Sequence, residues 1–143
     1  QLIAAGVDIN CKNNIGETAL HIASKKNKKC VVQVLISKGP DVSIQDNEGN
    51  TALHCACAAN EISDYVVEQL IAAGVDINCK NNIGETALHI ASKKNKKCVV
   101  QVLISKGPDV SIQDNEGNTA LHCACAANEI SDYVVEQLIA AGV

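Results

Sequence analysis

Gly16-Glu17-Thr18-Ala19-Leu20-His21-Ile22-Ala23 decides the fold, because the pattern returns three times along the chain. It recurs as Gly49-Asn50-Thr51-Ala52-Leu53-His54-Cys55-Ala56, then from Gly84 and from Gly117, at spacings of 33, 35 and 33 residues. The copies sit inside a larger duplication, in which residues 1–75 recur unchanged as residues 69–143. Periods of this size mark arrays of small supersecondary units that stack on their neighbours.

Outward from the motif, the local signals agree. The Thr18 hydroxyl is placed to cap a helix N-terminus, and Leu20 and Ala23 share one helical face. Lys25-Lys26-Asn27-Lys28 reads as a polar turn. A second helix follows with Val31, Val32, Leu35 and Ile36 on one stripe. It stops at Gly39, a C′ glycine able to take positive φ, with Pro40 behind it. Asp41 to Gly49 is a polar connector with short extended pieces, ending in a glycine turn. The next unit repeats the plan with Val66, Val67, Leu70, Ile71 and Gly74. Its two extra residues fall in Ala59-Asn60-Glu61-Ile62-Ser63, where Ser63 is a candidate cap for the second helix. Each helix pair carries an apolar stripe that it cannot bury alone, and stacking buries it.

Gly-x-Thr-Ala-Leu-His-x-Ala in four in-phase copies resembles the ankyrin repeat. So do the helix ends Leu35-Ile36-Ser37-Lys38-Gly39 and Leu70-Ile71-Ala72-Ala73-Gly74, and the connectors Val7-Asp8-Ile9-Asn10 and Val75-Asp76-Ile77-Asn78. The chain departs from the family pattern at Ala19, Ala52, Ala87 and Ala120, where Pro is usual. Ala is a good helix former, and Pro at a first turn only pre-sets φ. It departs also in its 35-residue unit and in lacking polar capping repeats. The resemblance implies an all-α helical repeat solenoid with short β-hairpin loops, and function through protein–protein contact on the concave side. The expected units are 8–40, 41–75, 76–108 and 109–143, with 1–7 as the tail of a preceding second helix.

Composition narrows the function classes. The core must be built of Ala, Val, Ile, Leu and Cys, since Phe, Trp and Met are absent and Tyr65 and Tyr133 are the only aromatics. That leaves no aromatic platform for stacking bases or cofactor rings. The net charge is −4, and all twelve cationic side chains are Lys. The missing Arg argues against phosphate or base readout, so no nucleic-acid partner is expected. No run of 18 apolar residues exists, so no membrane span is expected, and no charged-then-apolar leader marks a signal peptide. The eight Cys follow the repeat spacing rather than a disulfide framework, and are read as reduced thiols in a cytoplasmic setting.

No enzyme, cofactor or metal site is expected. A regular array of His21, His54, His89 and His122 is poor evidence for a single catalytic site. The family motif implies that each imidazole ties its helix start to a neighbouring loop. His54 and Cys57 share a helix face, but a Cys–His nucleophile also needs an orienting group and oxyanion donors, and structural zinc needs four ligands. Cys11, Cys30, Cys79 and Cys98 read as small fillers. The clusters Lys25 to Lys29 and Lys93 to Lys97 read as solvated turns.

By the resemblance, partner-contact positions in the first unit are Asn14, Ile15, Glu17, Lys25 and Lys26. In the second they are Asn47, Glu48, Asn50, Ala58 and Ala59. The third and fourth repeat them at Asn82, Ile83, Glu85, Lys93 and Lys94, then Asn115, Glu116, Asn118, Ala126 and Ala127. The back of the array, at Cys30, Tyr65, Cys98 and Tyr133, is expected to stay out of such contacts.

Head-to-tail self-association is the alternative reading. The fourth unit is identical to the second and the first to the third, so the two end faces are complementary, with Val134, Val135, Leu138 and Ile139 as the self-association residues. Residues 1–7 would claim the place of residues 137–143 of the preceding molecule, so one copy must give way. Charge alternates along the array. Residues 8–40 hold six Lys against Asp8 and Glu17, and residues 41–75 hold six carboxylates and no Lys. Lys28 and Lys29 are therefore expected near Glu61 and Asp64.

Overall fold

A computed structural model of the chain describes residues 8–59, 64–127 and 132–142. Ser63 and Glu61 lie outside the described residues, as does the segment 1–7. Within them run eight helices: α1 (Ala19–Lys25), α2 (Lys29–Ser37), α3 (Ala52–Ala58), α4 (Tyr65–Ala72), α5 (Ala87–Lys93), α6 (Lys97–Ser105), α7 (Ala120–Ala126) and α8 (Asp132–Ala140). The odd-numbered helices pack on one another in one row and the even-numbered in a second, and each pair is joined face to face. The fold is thus an all-helical repeat array.

Each odd helix starts the same way. Thr18, Thr51, Thr86 and Thr119 are extended N-caps with φ between −93 and −84°. In α1 the Thr18 hydroxyl accepts the His21 N–H, and the imidazole reaches back to the Thr18 N–H. This is a capping box in which His takes the place usually held by Glu or Gln. The second helices α2, α4 and α6 lack such caps: Lys28, Asp64 and Lys96 make no side-chain cap bond. Helices this short need tertiary packing to persist. Gly39 ends the α2 turn at φ +69°, the left-handed C′ position that the Gly-Pro pair predicts.

The core is a thin slab between the two rows. Leu53, Leu70, Leu103 and Leu138 are all under 2% exposed, with Val32, Val66, Val67, Val99 and Val100 beside them. Each such Leu contributes about 2 kcal/mol by burial. Small side chains complete the slab, with Ala23, Ala52, Ala56, Ala87, Ala91 and Ala124 in the same core.

The loops differ from the expected β-hairpins: among the described residues no strand forms. Asn13 Oδ1 accepts the N–H groups of Ile15 and Glu17, and Asp46 Oδ1 those of Glu48 and Asn50. The amides that would build a ladder across the loop are satisfied by its own first side chain. One backbone bond closes each loop on itself, as where Asn13 N–H donates to the Glu17 carbonyl at 2.8 Å, and others run sideways to the next loop: Asn47 N–H donates to the Ile15 carbonyl at 3.1 Å, and Asn82 and Asn115 do the same to Glu48 and Ile83 at 3.0 Å.

Candidate functional site: the groove between helices and loop tips

The odd helices and the loop tips enclose an open groove of about 820 Å³ over the first three helix pairs. Its ends are set by two matching ion pairs. Lys25 reaches back along α1 to Glu17, and Lys93 reaches along α5 to Glu85. The Lys25 hydrogen bond holds the Glu17 carboxyl below the usual carboxylate range, and its partner raises Lys25. Both Lys heads are about half exposed while both carboxylates are buried, so each pair stabilises the fold by no more than about 1 kcal/mol.

Between these clamps the groove has a low floor. Ala58 stands at the position held by Lys25 and Lys93, and Cys55 at the position of Ile90. Small side chains here open a notch beneath Asp46, Asn47 and Glu48. Ile15 and Ile83 rise on either side of it at the loop tips, 57% and 56% exposed. A second, smaller hollow continues the groove over the last two pairs, lined by Asn115, Glu116, Asn118 and Ala126 with Lys93 shared.

Most of the positions the sequence singled out line these two hollows. Asn14, Lys26 and Ala127 do not. Asn14 offers its carbonyl to Asn47 Nδ2 at 3.2 Å instead, and Lys26 is the exposed C-cap of α1. Ala59 borders the groove but is 5% exposed, because the ammonium of Lys96 covers its carbonyl. Glu17 and Glu85 are 6% exposed and offer little area of their own. Sequence reasoning did not assign Asp46, His54, Cys55, Asn81, Ile90, Asp114, His122 and Cys123 to the groove. The signal was available, since Cys55, Ala58 and Ala59 fall at i, i+3 and i+4 on one helix face.

The His array ties neighbours together. His54 Nδ1 accepts the Thr51 N–H, which leaves Nε2–H to donate to the Glu85 carbonyl at 2.9 Å. His21 and His89 donate likewise to the Asn50 and Asn118 carbonyls at 2.8 Å. With both ring nitrogens engaged, His54 has no free one to serve as a base for Cys57. Burial pushes the thiols of Cys55 and Cys57 up to about 12, far from the reactive thiolate. Among the described residues, no three His, Cys, Asp or Glu gather as metal ligands, and no helix is long and apolar enough to cross a membrane.

The self-association residues divide. Val134 and Leu138 are 1% and 0% exposed inside the chain's own core, Val135 is half-buried, and Ile139 is 57% exposed. Only Ile139 of the four stands fully open to a second molecule. The charge expectation fares differently: among the described residues both ion pairs lie within one repeat, and neither Lys28 nor Lys29 has a carboxylate partner.

Paired short helices, row on row, joined by hydrogen-bonded tips and leaving one open groove, define a helical repeat scaffold. The family of ankyrin repeats (3 copies) matches residues 1–66 and 57–143, and the chain belongs to it. Proteins of this family are generally protein–protein interaction modules. A search of the curated proteins returned no match.

Proposed function

We propose that the chain is a non-catalytic protein-interaction scaffold whose partner lies along the groove and loop tips. The observation that carries this is the notch at Cys55 and Ala58 between the Glu17–Lys25 and Glu85–Lys93 clamps. It is a concave, half-apolar surface with polar groups at fixed positions, the form of a binding site that orders an extended segment. The even-numbered helices commit much of their apolar stripes to the core, Val32, Leu35, Val67 and Leu70 among them.

Ala58→Arg tests it. A long basic side chain is native at this position in α1 and α5, so the fold tolerates it, and it fills the notch. Binders selected on the wild-type chain from a displayed random-peptide library are expected to lose at least tenfold in affinity to Ala58→Arg. They are expected to keep it for Cys30→Arg on the exposed back of α2. Binders that ignore the first change and respond to the second would overturn the reading.

Stacking of one molecule on the next is the second reading. It is favoured by the joint between the second and third helix pairs, whose sequences recur in the fourth pair and in the first.

A further inference from the structure

The charge along the groove is uneven. In the first and third helix pairs the chain sets its own lysine across the floor, Lys25 and Lys93, each tied to a buried carboxylate, Glu17 and Glu85. In the pair between them the counterparts of that lysine and that carboxylate are Ala58 and Asn50. The cation is gone, and negative charge stands instead at the loop tip. Asp46 and Glu48 hold the places of Asn13 and Ile15 in the first pair, and of Asn81 and Ile83 in the third. Among the described residues neither Asp46 nor Glu48 has an ion-pair partner. The remaining cation along the groove, Lys94, is the exposed C-cap of α5.

Both unpaired carboxylates border the same hollow as Cys55 and Ala58. Burial is the largest cause of the raised Cys55 thiol and the Asp46 charge is the next, with Glu48 also in its field. To either side, Ile15 and Ile83 stand exposed at the neighbouring tips. The middle of the groove thus joins a floor of small side chains, two uncompensated negative charges and an apolar shoulder on each flank.

We propose that the groove takes an extended partner segment with one Lys or Arg at its centre and an apolar residue on each side. The basic head lies between Asp46 and Glu48, its stem on Cys55 and Ala58, and the apolar residues against Ile15 and Ile83. The proposal rests on the groove reading and names the chemistry of the occupant. A long basic side chain suits the slot, because its stem covers apolar floor while its head stays among the polar groups. The chain's own Lys25 and Lys93 lie in the equivalent places of the flanking pairs. An acidic residue at the centre is repelled there, which gives selectivity as well as attraction. The spacing of the three contacts follows from stacking. Packed helices lie about 10 Å apart, so Ile15, Glu48 and Ile83 recur at about that interval. A polyproline II segment rises about 3.1 Å per residue with about three residues per turn, so every third side chain returns to one face about 9 Å further on. The segment therefore reads apolar, two residues, basic, two residues, apolar.

A displayed random-peptide library selected on the wild-type chain tests this. Binders that lose at least tenfold in affinity to Ala58→Arg are groove binders, and they are expected to carry the motif. Asp46→Asn with Glu48→Gln removes both charges and keeps the loop, since Asn13 and Asn81 hold their own tips through the same side-chain oxygen. A melting curve like that of the wild type shows that this double variant is folded. It is expected to weaken the groove binders at least tenfold. Raising the ionic strength from about 0.01 to about 0.15 M is expected to weaken their binding to the wild type more than to the variant. Glu48→Lys is expected to select peptides with Asp or Glu at the centre from the same library. Groove binders with no basic centre, or indifferent to the loss of both carboxylates, would overturn the partner chemistry and leave the groove reading intact. A basic centre without an apolar residue three places away would overturn the extended arrangement. Binders that all ignore Ala58→Arg would overturn the groove reading and this proposal with it.

Discussion

At the scale of the residue, the imidazole at the third helical position is the part that makes one repeat depend on the next. In His54 the Nδ1 is spent on its own helix cap and the Nε2–H on the Glu85 carbonyl, so only the neutral ring fits both. For His54, burial is the largest cause and holds the ring below the ordinary value of about 6.5. The unfolded chain then takes up a proton near pH 6.5 that the folded chain refuses, so stability falls as the solution is acidified through that value. The carboxylates held low, at Glu17, Asp41, Asp109 and Asp114, act in the same sense but only near pH 4.5 and below. Between pH 7.5 and 5.5 the urea midpoint is therefore expected to drop. His54→Gln, though less stable at every pH, is expected to show a shallower drop. A midpoint flat across this interval would show that the ring is not held neutral.

At the scale of the element, identical helices find themselves in unlike surroundings, and thiols report it. In α3, Cys57 is sealed by α5 and its neighbours; in α7, the same side chain as Cys125 is exposed. Under native conditions an aromatic disulfide reagent is expected to consume Cys11, Cys30, Cys98 and Cys125 quickly. Cys57 is expected to react at least a hundredfold more slowly, at the rate of local opening. Equal rates at Cys57 and Cys125, followed by mass spectrometry of the distinct peptides, would contradict this packing. The pair also marks how far the sequence could be read. The caps at Thr18 and Thr51, the stop at Gly39 and the spacing of the units were legible because they are local and repeat. Most of the groove was legible from the resemblance. The Lys96–Ala59 contact, the sealing of Cys57 and the burial of Val134 and Leu138 were not. Each depends on which face a neighbour covers, and a sequence that repeats itself gives the same letters to covered and uncovered copies. The absence of strands from the loops was hidden for another reason, since Asn13 and Asp46 satisfy amides that a ladder would have used.

At the scale of the whole molecule, stability is a sum of intrinsic terms and of joints between neighbours. The duplication makes that sum measurable, because α3 and α7 share one sequence and hence one intrinsic exchange chemistry. Amide hydrogen exchange in α3 is expected to be at least tenfold more protected than in α7, the difference being one joint. Identical protection would mean that the array opens only as a unit. The tips carry a different lesson. Asn47 reaches back to Asn14 across 33 residues, and Asn82 reaches back to Asn47 across 35, each through the same amide-to-carbonyl bond at 3.2 and 3.0 Å. The longer unit adds its residues in the sequence between α3 and α4. Phase along the array is therefore kept by loops and not by residue count. An insertion in that link leaves the tip-to-tip register of everything downstream intact, whereas one within a loop disturbs it. The link between the helices of a pair is the place where such a gene can lengthen without rewriting its neighbours.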